Sequence, residues 1–177
     1  VTLHFHDLAA LEAHLAGMAD VSCENLDLSE LDHGLQCAAE LKAAAPGDLA
    51  LQAAGLVHDI AYGPAHAEAH GRIGAEAIRG LLGERVARLV ALHVDAKRYL
   101  VSTDAVYRAR LSPVSIETLA LQGGDMTPEE IAAFEAQPHW RDGVTLRLAD
   151  EAAKVPGRVT PGLEAWLPVL RTLARAG

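Results

Sequence analysis

The sequence predicts an all-α protein, and three observations carry that expectation. Alanine supplies about a fifth of the 177 residues, and alanine and leucine favour helices. Aromatic residues make up only 4%, whereas strands want aromatic and β-branched side chains. Apolar residues repeat at intervals of three and four in nearly every stretch, the period of one helical face. Half of the chain is apolar and 22% is charged, which is enough to build a core and too little charge for global disorder. No internal repeat, low-complexity tract or long linker divides the chain. The expectation is one domain over residues 1–177, a bundle of roughly eight to ten helices.

Each element has its own signal. From Asp7 to about Ala19, Leu8, Leu11 and Leu15 form one stripe. A second helix runs from Ser29 to about Ala45, with Leu31, Leu35 and Ala38 inward, and stops before Pro46-Gly47. Asp48 can cap a third, which passes through Leu49, Ala53 and Leu56 to His58-Asp59 and a loop with Gly63-Pro64. A fourth spans about Ala67 to Leu82 and ends at Gly83. A fifth starts near Glu84 and carries Val86, Leu89, Val90 and His93. Ser112-Pro113 is an N-cap followed by proline at the first helical position, opening a helix to Leu121 that Gly123-Gly124 closes. Thr127-Pro128-Glu129-Glu130 has the form of a capping box. A helix from about His139 to Lys154 stops at Pro156-Gly157, and Leu163 to Ala176 is the last.

Composition excludes several functions. With 24 acidic against 15 basic residues and a net charge of −9, the chain lacks the basic footprint of a nucleic-acid binder. Cys23 and Cys37 make neither a disulfide framework nor a paired-thiol site. No run of about 18 apolar residues could cross a membrane, and no basic patch followed by an apolar stretch marks a leader. The expected compartment is the reducing cytoplasm, and the expected state is a monomer without nucleic-acid or membrane partners.

The nine histidines carry the functional signal. His4, His6 and His14 lie near the N-terminus among polar neighbours and are expected to be solvated; His139 follows Pro138 at a helix start and is expected to be structural. His33, His58, His70 and His93 differ, because each lies on or at the end of a separate helix beside apolar positions. One such histidine is usually a satisfied core residue. Four on four helices, with Asp59 directly after His58, fit a metal site built from facing helices, and imidazole with carboxylate suits iron, manganese or zinc. Asp59 has two oxygens and can bridge two metals. Asp150, on an otherwise apolar face, reads either as a sixth ligand or as a buried partner of Arg147 three residues back. Rival patterns fail: His66 and His70 bracket the order H-A-E-A-H instead of H-E-x-x-H, and neither a G-x-S-x-G elbow nor a phosphate-binding glycine loop is present.

His33, then His58-Asp59, then a later helical aspartate resembles the HD-domain superfamily. Further strings narrow the resemblance: His33-Gly34-Leu35-Gln36-Cys37-Ala38, His70-Gly71-Arg72-Ile73-Gly74-Ala75, His93-Val94-Asp95-Ala96-Lys97-Arg98-Tyr99-Leu100, Leu119-Ala120-Leu121-Gln122-Gly123-Gly124 and Ala152-Ala153-Lys154-Val155-Pro156-Gly157. Together they resemble the PhnZ-like mixed-valent diiron oxygenases, which cleave the carbon–phosphorus bond of 1-hydroxyphosphonates. The resemblance runs from about Asp32 to Leu170. It implies an HD-domain bundle around two irons, Fe(II) and Fe(III), with O2 as co-substrate. His33, His58, Asp59 and Asp150 would hold one iron, and Asp59 would bridge to a second completed by His70 and His93. Lys97, Ser115, Thr118 and Arg147 would bind the phosphonate. Lys97 and Arg147 can each share a helical face with a ligand, and Ser115 and Thr118 lie near a helix N-terminus, which favours an anion.

Three positions depart from the family. Where it has a tyrosine and a glutamate ten and seven residues before the first histidine ligand, closing over the site, this chain has Cys23 and Leu26. Where it often has a histidine four residues after the second, this chain has Tyr62. Glu24 or Asp27 could restore the carboxylate with a shift in register, and Tyr62 the phenol. The leading expectation is an oxygenase acting on a short 1-hydroxyphosphonate without the usual ammonium group, such as hydroxymethylphosphonate, giving phosphate and a carboxylate. The alternatives are a metal-dependent HD phosphohydrolase acting on a phosphate ester, and a non-catalytic binder that keeps metal for stability.

Overall fold

The computed structural model describes residues 3–63 and 67–174. Among them ten α-helices form and no strand; the one bridge pairs Ser22 with Ser29. The helices are α1 (Leu8–Gly17), α2 (Glu30–Ala44), α3 (Leu49–Val57), α4 (His70–Leu82), α5 (Glu84–Thr103), α6 (Ala105–Arg108), α7 (Pro113–Leu121), α8 (Pro128–Glu135), α9 (Trp140–Ala152) and α10 (Leu167–Ala174). The all-α expectation holds.

Most starts follow from side-chain caps that satisfy otherwise orphaned amides. Asp7 accepts from Ala10, Ser29 from Asp32, Asp48 from Leu51 and Ser112 from Ser115. Thr127 and Glu130 form the reciprocal capping box. Gly83, at φ 88°, both ends α4 and opens α5.

Several boundaries are corrected. The first helix ends at Gly17 and tightens into a 3₁₀ turn at Met18–Asp20, so it is not one helix to Ala19. The fourth starts at His70 and not Ala67, because Ala69 has left helical geometry (φ −126°, ψ 0°). The ninth begins after His139, which is left-handed at φ 65°, and stops at Ala152, short of Lys154. The last stretch splits into a 3₁₀ turn, Leu163–Ala165, and α10, whose second residue is Pro168; Ala176 lies outside the described residues, as do Pro64 and His66. Four-residue α6, capped by Asp104, has too little periodicity to be read from sequence.

The long helix α5 packs against α4, α9 and α3, and α2 packs against α3 and α9. The main core lies between them and includes Leu35, Leu41, Leu51, Ile78, Leu89, Val90 and Leu146. A second cluster under α6 and α7 contains Leu100, Tyr107 and Leu119; a third places Leu92, Met126 and Phe134 against Trp140. Two glycines permit the close approaches that matter for function. A Cβ at Gly34 would come within 2.7 Å of the Leu56 carbonyl oxygen, and one at Gly71 within 3.1 Å of His93 Cε1. These glycines draw α2 onto α3 and α4 onto α5, one residue away from His33 and His70.

Candidate metal centre

Five elements converge in the interior. His33 comes from the first turns of α2, His58 and Asp59 from the turn just past α3, His70 from the first residue of α4, His93 from the middle of α5 and Asp150 from near the end of α9. All four histidines and Asp150 are buried. The Asp59 side chain retains 17% exposure, so the cluster opens to solvent on its side.

The donor atoms face one another in pairs. His33 Nε2 and His58 Nε2 are 3.2 Å apart, and His70 Nε2 and His93 Nε2 are 2.9 Å apart. Each ring spends its other nitrogen as a donor to backbone: His58 to the Gly55 carbonyl at 2.8 Å, His70 to Ala67 at 2.9 Å, His93 to Val90 at 2.6 Å and His33 to Ala153 at 3.3 Å. A carbonyl only accepts, so Nδ1 carries a proton, and in the neutral ring the Nε2 lone pair is left pointing inward. Lone pairs held about 3 Å apart repel unless a cation lies between them. That spacing matches the edge of a coordination shell with bonds of about 2.0–2.2 Å.

Asp59 divides its oxygens between the pairs. Oδ2 is 3.2 Å from His58 and 3.7 Å from His33, while Oδ1 is 3.2 Å from His70 and 3.6 Å from His93. The outcome is two donor triads, His33–His58–Asp59 and Asp59–His70–His93, sharing one carboxylate. Asp150 joins the first through Oδ1, 3.2 Å from His33 and 3.7 Å from His58, while its Oδ2 accepts from Arg147. Asp150 thus lies beside the first triad with one oxygen and pairs with Arg147 through the other. Burial opposes its ionisation, but Arg147 and Lys154 outweigh that and hold it well below the ordinary carboxylate range.

A cavity of about 40 Å³ adjoins the second triad. Tyr62 forms part of one wall, its ring edge-on to His70. Lys97, Ser115, Thr118, Arg147 and Lys154 form the other. Lys97 Nζ donates to Thr118 Oγ1 at 2.7 Å and Gln122 Oε1 at 3.0 Å, and among the described residues it has no carboxylate partner. Burial, aided by Arg147 and Lys154, brings its pKa down to about 7. Arg147 is more committed: Nε donates to Tyr107 Oη at 2.7 Å, Nη1 to Asp150 and Nη2 to Glu151 at 2.6 Å. Its foremost contact is thus Asp150, with the cavity second.

The structure brings together His33, His58, Asp59, His70, His93, Asp150, Lys97, Ser115, Thr118, Arg147 and Tyr62. It does not bring Leu26 to the cavity. Leu26, 36% exposed, lines a separate surface depression with Asp27. Cys23 is buried without lining the cavity. Glu24 lines it instead, because Glu24 and Asn25 adopt left-handed geometry (φ 48° and 58°) that turns the chain between Cys23 and Leu26. His14 is also corrected: it is part-buried and its Nε2 donates to the Ile60 carbonyl at 2.8 Å, tying α1 to the turn after Asp59. Sequence reasoning passed over Gln122, Lys154 and the buried Glu30. Gln122 and Lys154 lie four residues after Thr118 and Asp150, a helical spacing that could have found them. Burial, with Asp59 next in effect, pushes the Glu30 carboxyl up to about 8, and its Oε2 has no hydrogen-bond partner among the described residues.

This fold and site define an all-helical protein whose interior presents two carboxylate-linked donor triads able to hold metal ions. The family model described as the HD domain matches residues 31–136. Hydroxymethylphosphonate dioxygenase of Gimesia maris is 37% identical over 150 residues, covering 78% of this chain and 74% of the relative. The glycine-betaine-forming [1-hydroxy-2-(trimethylamino)ethyl]phosphonate dioxygenase of Leisingera caerulea is 38% identical over 104 residues, 59% of this chain and 53% of that one. The chain belongs to the HD-domain family, on its PhnZ-like branch.

Proposed function

We propose that this protein is a diiron oxygenase that cleaves the C–P bond of hydroxymethylphosphonate or a similarly short 1-hydroxyphosphonate. The observation that carries the reading is the shared Asp59 carboxylate between two histidine pairs, beside a cavity whose Lys97 has no carboxylate partner among the described residues. His33, His58, Asp59 and Asp150 would hold one iron, and Asp59, His70 and His93 would hold the other. One ferrous and one ferric ion held there would supply the activation of O2. For hydroxymethylphosphonate the reaction balances as substrate dianion plus O2 giving formate, hydrogen phosphate and one proton, with the C–P bond broken and C1 oxidised.

The chain's own residues bind and orient. Lys97, Ser115 and Thr118 present an ammonium and two hydroxyls to the phosphonate oxygens. Arg147, fixed by Tyr107 and Glu151, keeps Asp150 ionised and aimed at His33 and His58. Tyr62 crowds the open side beside His70, and among the described residues no unpaired carboxylate faces the cavity to receive a substrate ammonium. A short neutral substituent at C1 suits that wall. No helix of the described residues is long and apolar enough to cross a membrane, and we place the protein in the cytoplasm as a monomer, one domain over residues 1–177.

The test is phosphate and formate release by iron-loaded protein from a panel of 1-hydroxyphosphonates and phosphate monoesters, with and without oxygen. The expected result is equimolar phosphate and formate from hydroxymethylphosphonate, only in oxygen. Oxygen-independent phosphate release from an ester would instead make the protein an HD phosphohydrolase.

A further inference from the structure

The anion site already contains a carboxylate. Glu24 Oε1 accepts from Lys154 Nζ at 2.6 Å and from Ser115 Oγ at 3.4 Å, and Oε2 accepts from Ser112 Oγ at 2.8 Å. Ser112 is the N-cap of α7, and Ser115 lies one turn from Thr118 on the same helix. These donors are of the kind a phosphonate oxygen needs: a part-buried ammonium, two hydroxyls and a helix start. Thr118 stands one helical turn further along, about 5–6 Å away, with Lys97 bonded to it and, among the described residues, no carboxylate on either. Half of the anion site is thus free and half is filled by the protein itself.

The segment that carries Glu24 is closed on itself. Cys23 N–H donates to the Leu28 carbonyl at 2.9 Å, Leu26 N–H to Cys23 at 2.8 Å and Glu30 N–H to Val21 at 2.8 Å. Its tip is held to the body by the buried Cys23 and Leu28 side chains and the Glu24 carboxylate, while the Ser29 cap and the Glu30 N–H bond to Val21 anchor its base to α2. The tip over residues 22–28 can lift from that base with the Cys23–Leu28 and Leu26–Cys23 bonds intact.

We propose that Glu24 is a tethered competitor of the substrate anion, and that Lys154 and Ser112 are additional substrate-binding residues which pass from Glu24 to the phosphonate when it binds. This rests on the anion-site reading given above. A phosphonate reaching from Lys97 to Ser115 meets the Glu24 carboxylate, and two anions cannot share Ser115 and Lys154. The Glu24-bearing tip of the loop, residues 22–28, therefore leaves as the substrate enters. The competition subtracts from the affinity of every anion, and a ligand that reaches both lysines recovers more of it than one that reaches only Lys97.

The test uses methylphosphonate, which lacks the hydroxyl and is not turned over, titrated calorimetrically into the iron-loaded protein under nitrogen. Glu24→Gln and Glu24→Ala are expected to bind it about fivefold or more tightly than the wild type, and Lys154→Met more weakly. In the wild type, methylphosphonate is expected to speed labelling of the Cys23 thiol, with Cys37 in the core as the unreactive reference. Unchanged or weaker binding by both Glu24 variants, or slower labelling of Cys23, overturns the inference. If Lys97→Met binds as well as the wild type, the anion-site reading itself falls, and the inference with it. If Lys97→Met abolishes binding while the Glu24 variants match the wild type, only the inference falls.

Discussion

Asp59 presents each oxygen to a different histidine pair, so its chemistry depends on both oxygens being equivalent acceptors. Asparagine offers one oxygen and one NH2 group. Asp59→Asn is therefore expected to lower bound iron from about two ions per chain to one or fewer, whereas His93→Ala leaves about one; metal analysis after gel filtration reads both. Lys97 carries a different trade-off. Its pKa of about 7 lies below that of an unfolded lysine, so between these values the unfolded chain binds the extra proton. The sign follows from linkage: the burial cost is complete below pH 7 and falls away as the pH rises toward 10.5. In metal-free protein, Lys97→Met is expected to raise thermal stability more at pH 6 than at pH 9, the gain shrinking by about 2–3 kcal/mol across that range. The same substitution is expected to abolish methylphosphonate binding. A gain that grew with pH would show that Lys97 is not held charged against its burial.

At the scale of elements, the centre depends on how closely helices approach. Gly34→Ala sets a Cβ 2.7 Å from the Leu56 carbonyl oxygen, and backbone cannot yield as a flexible side chain can. Separation of α2 from α3 is expected to cost about 1–3 kcal/mol and to pull His33 from His58, so iron is lost from the first triad before the second. Gly80, inside α4, is the contrast: a Cβ there meets nothing within 4 Å. Gly80→Ala is expected to stabilise by about 0.5–1 kcal/mol in urea unfolding and leave metal content unchanged. The helices were legible in the sequence wherever a cap and an apolar stripe coincided, as at Ser29, Asp48, Ser112 and Thr127. They were misjudged where backbone geometry intervened without a sequence marker, as at Ala69. Glu24 was legible only as a possibility, since a register argument counts residues and the left-handed pair Glu24–Asn25 changes which of them face inward.

For the whole molecule, the site gathers donors from α2, the turn after α3, α4, α5 and α9, across positions 33 to 150. Each histidine alone carried a bland reading in the sequence; only their number and the later strings made the centre legible, because spacing says nothing of which helices meet. Removing metal should therefore loosen the entire bundle. Chelation is expected to lower the melting temperature by many degrees, and iron to restore it in a concentration-dependent way, as for any ligand held by the native state alone; a melting point indifferent to chelator would place the metal elsewhere. The ring attachments add a consequence in time. His58, His70 and His93 are each anchored to a carbonyl three residues back in their own turn, whereas His33 relies on Ala153, 120 residues away, at the end of α9. Local turns persist through breathing motions that part distant segments. The two ions are therefore expected to leave with separate half-lives in a chelator chase, the faster one from the side of His33 at a rate set by fraying at the end of α9.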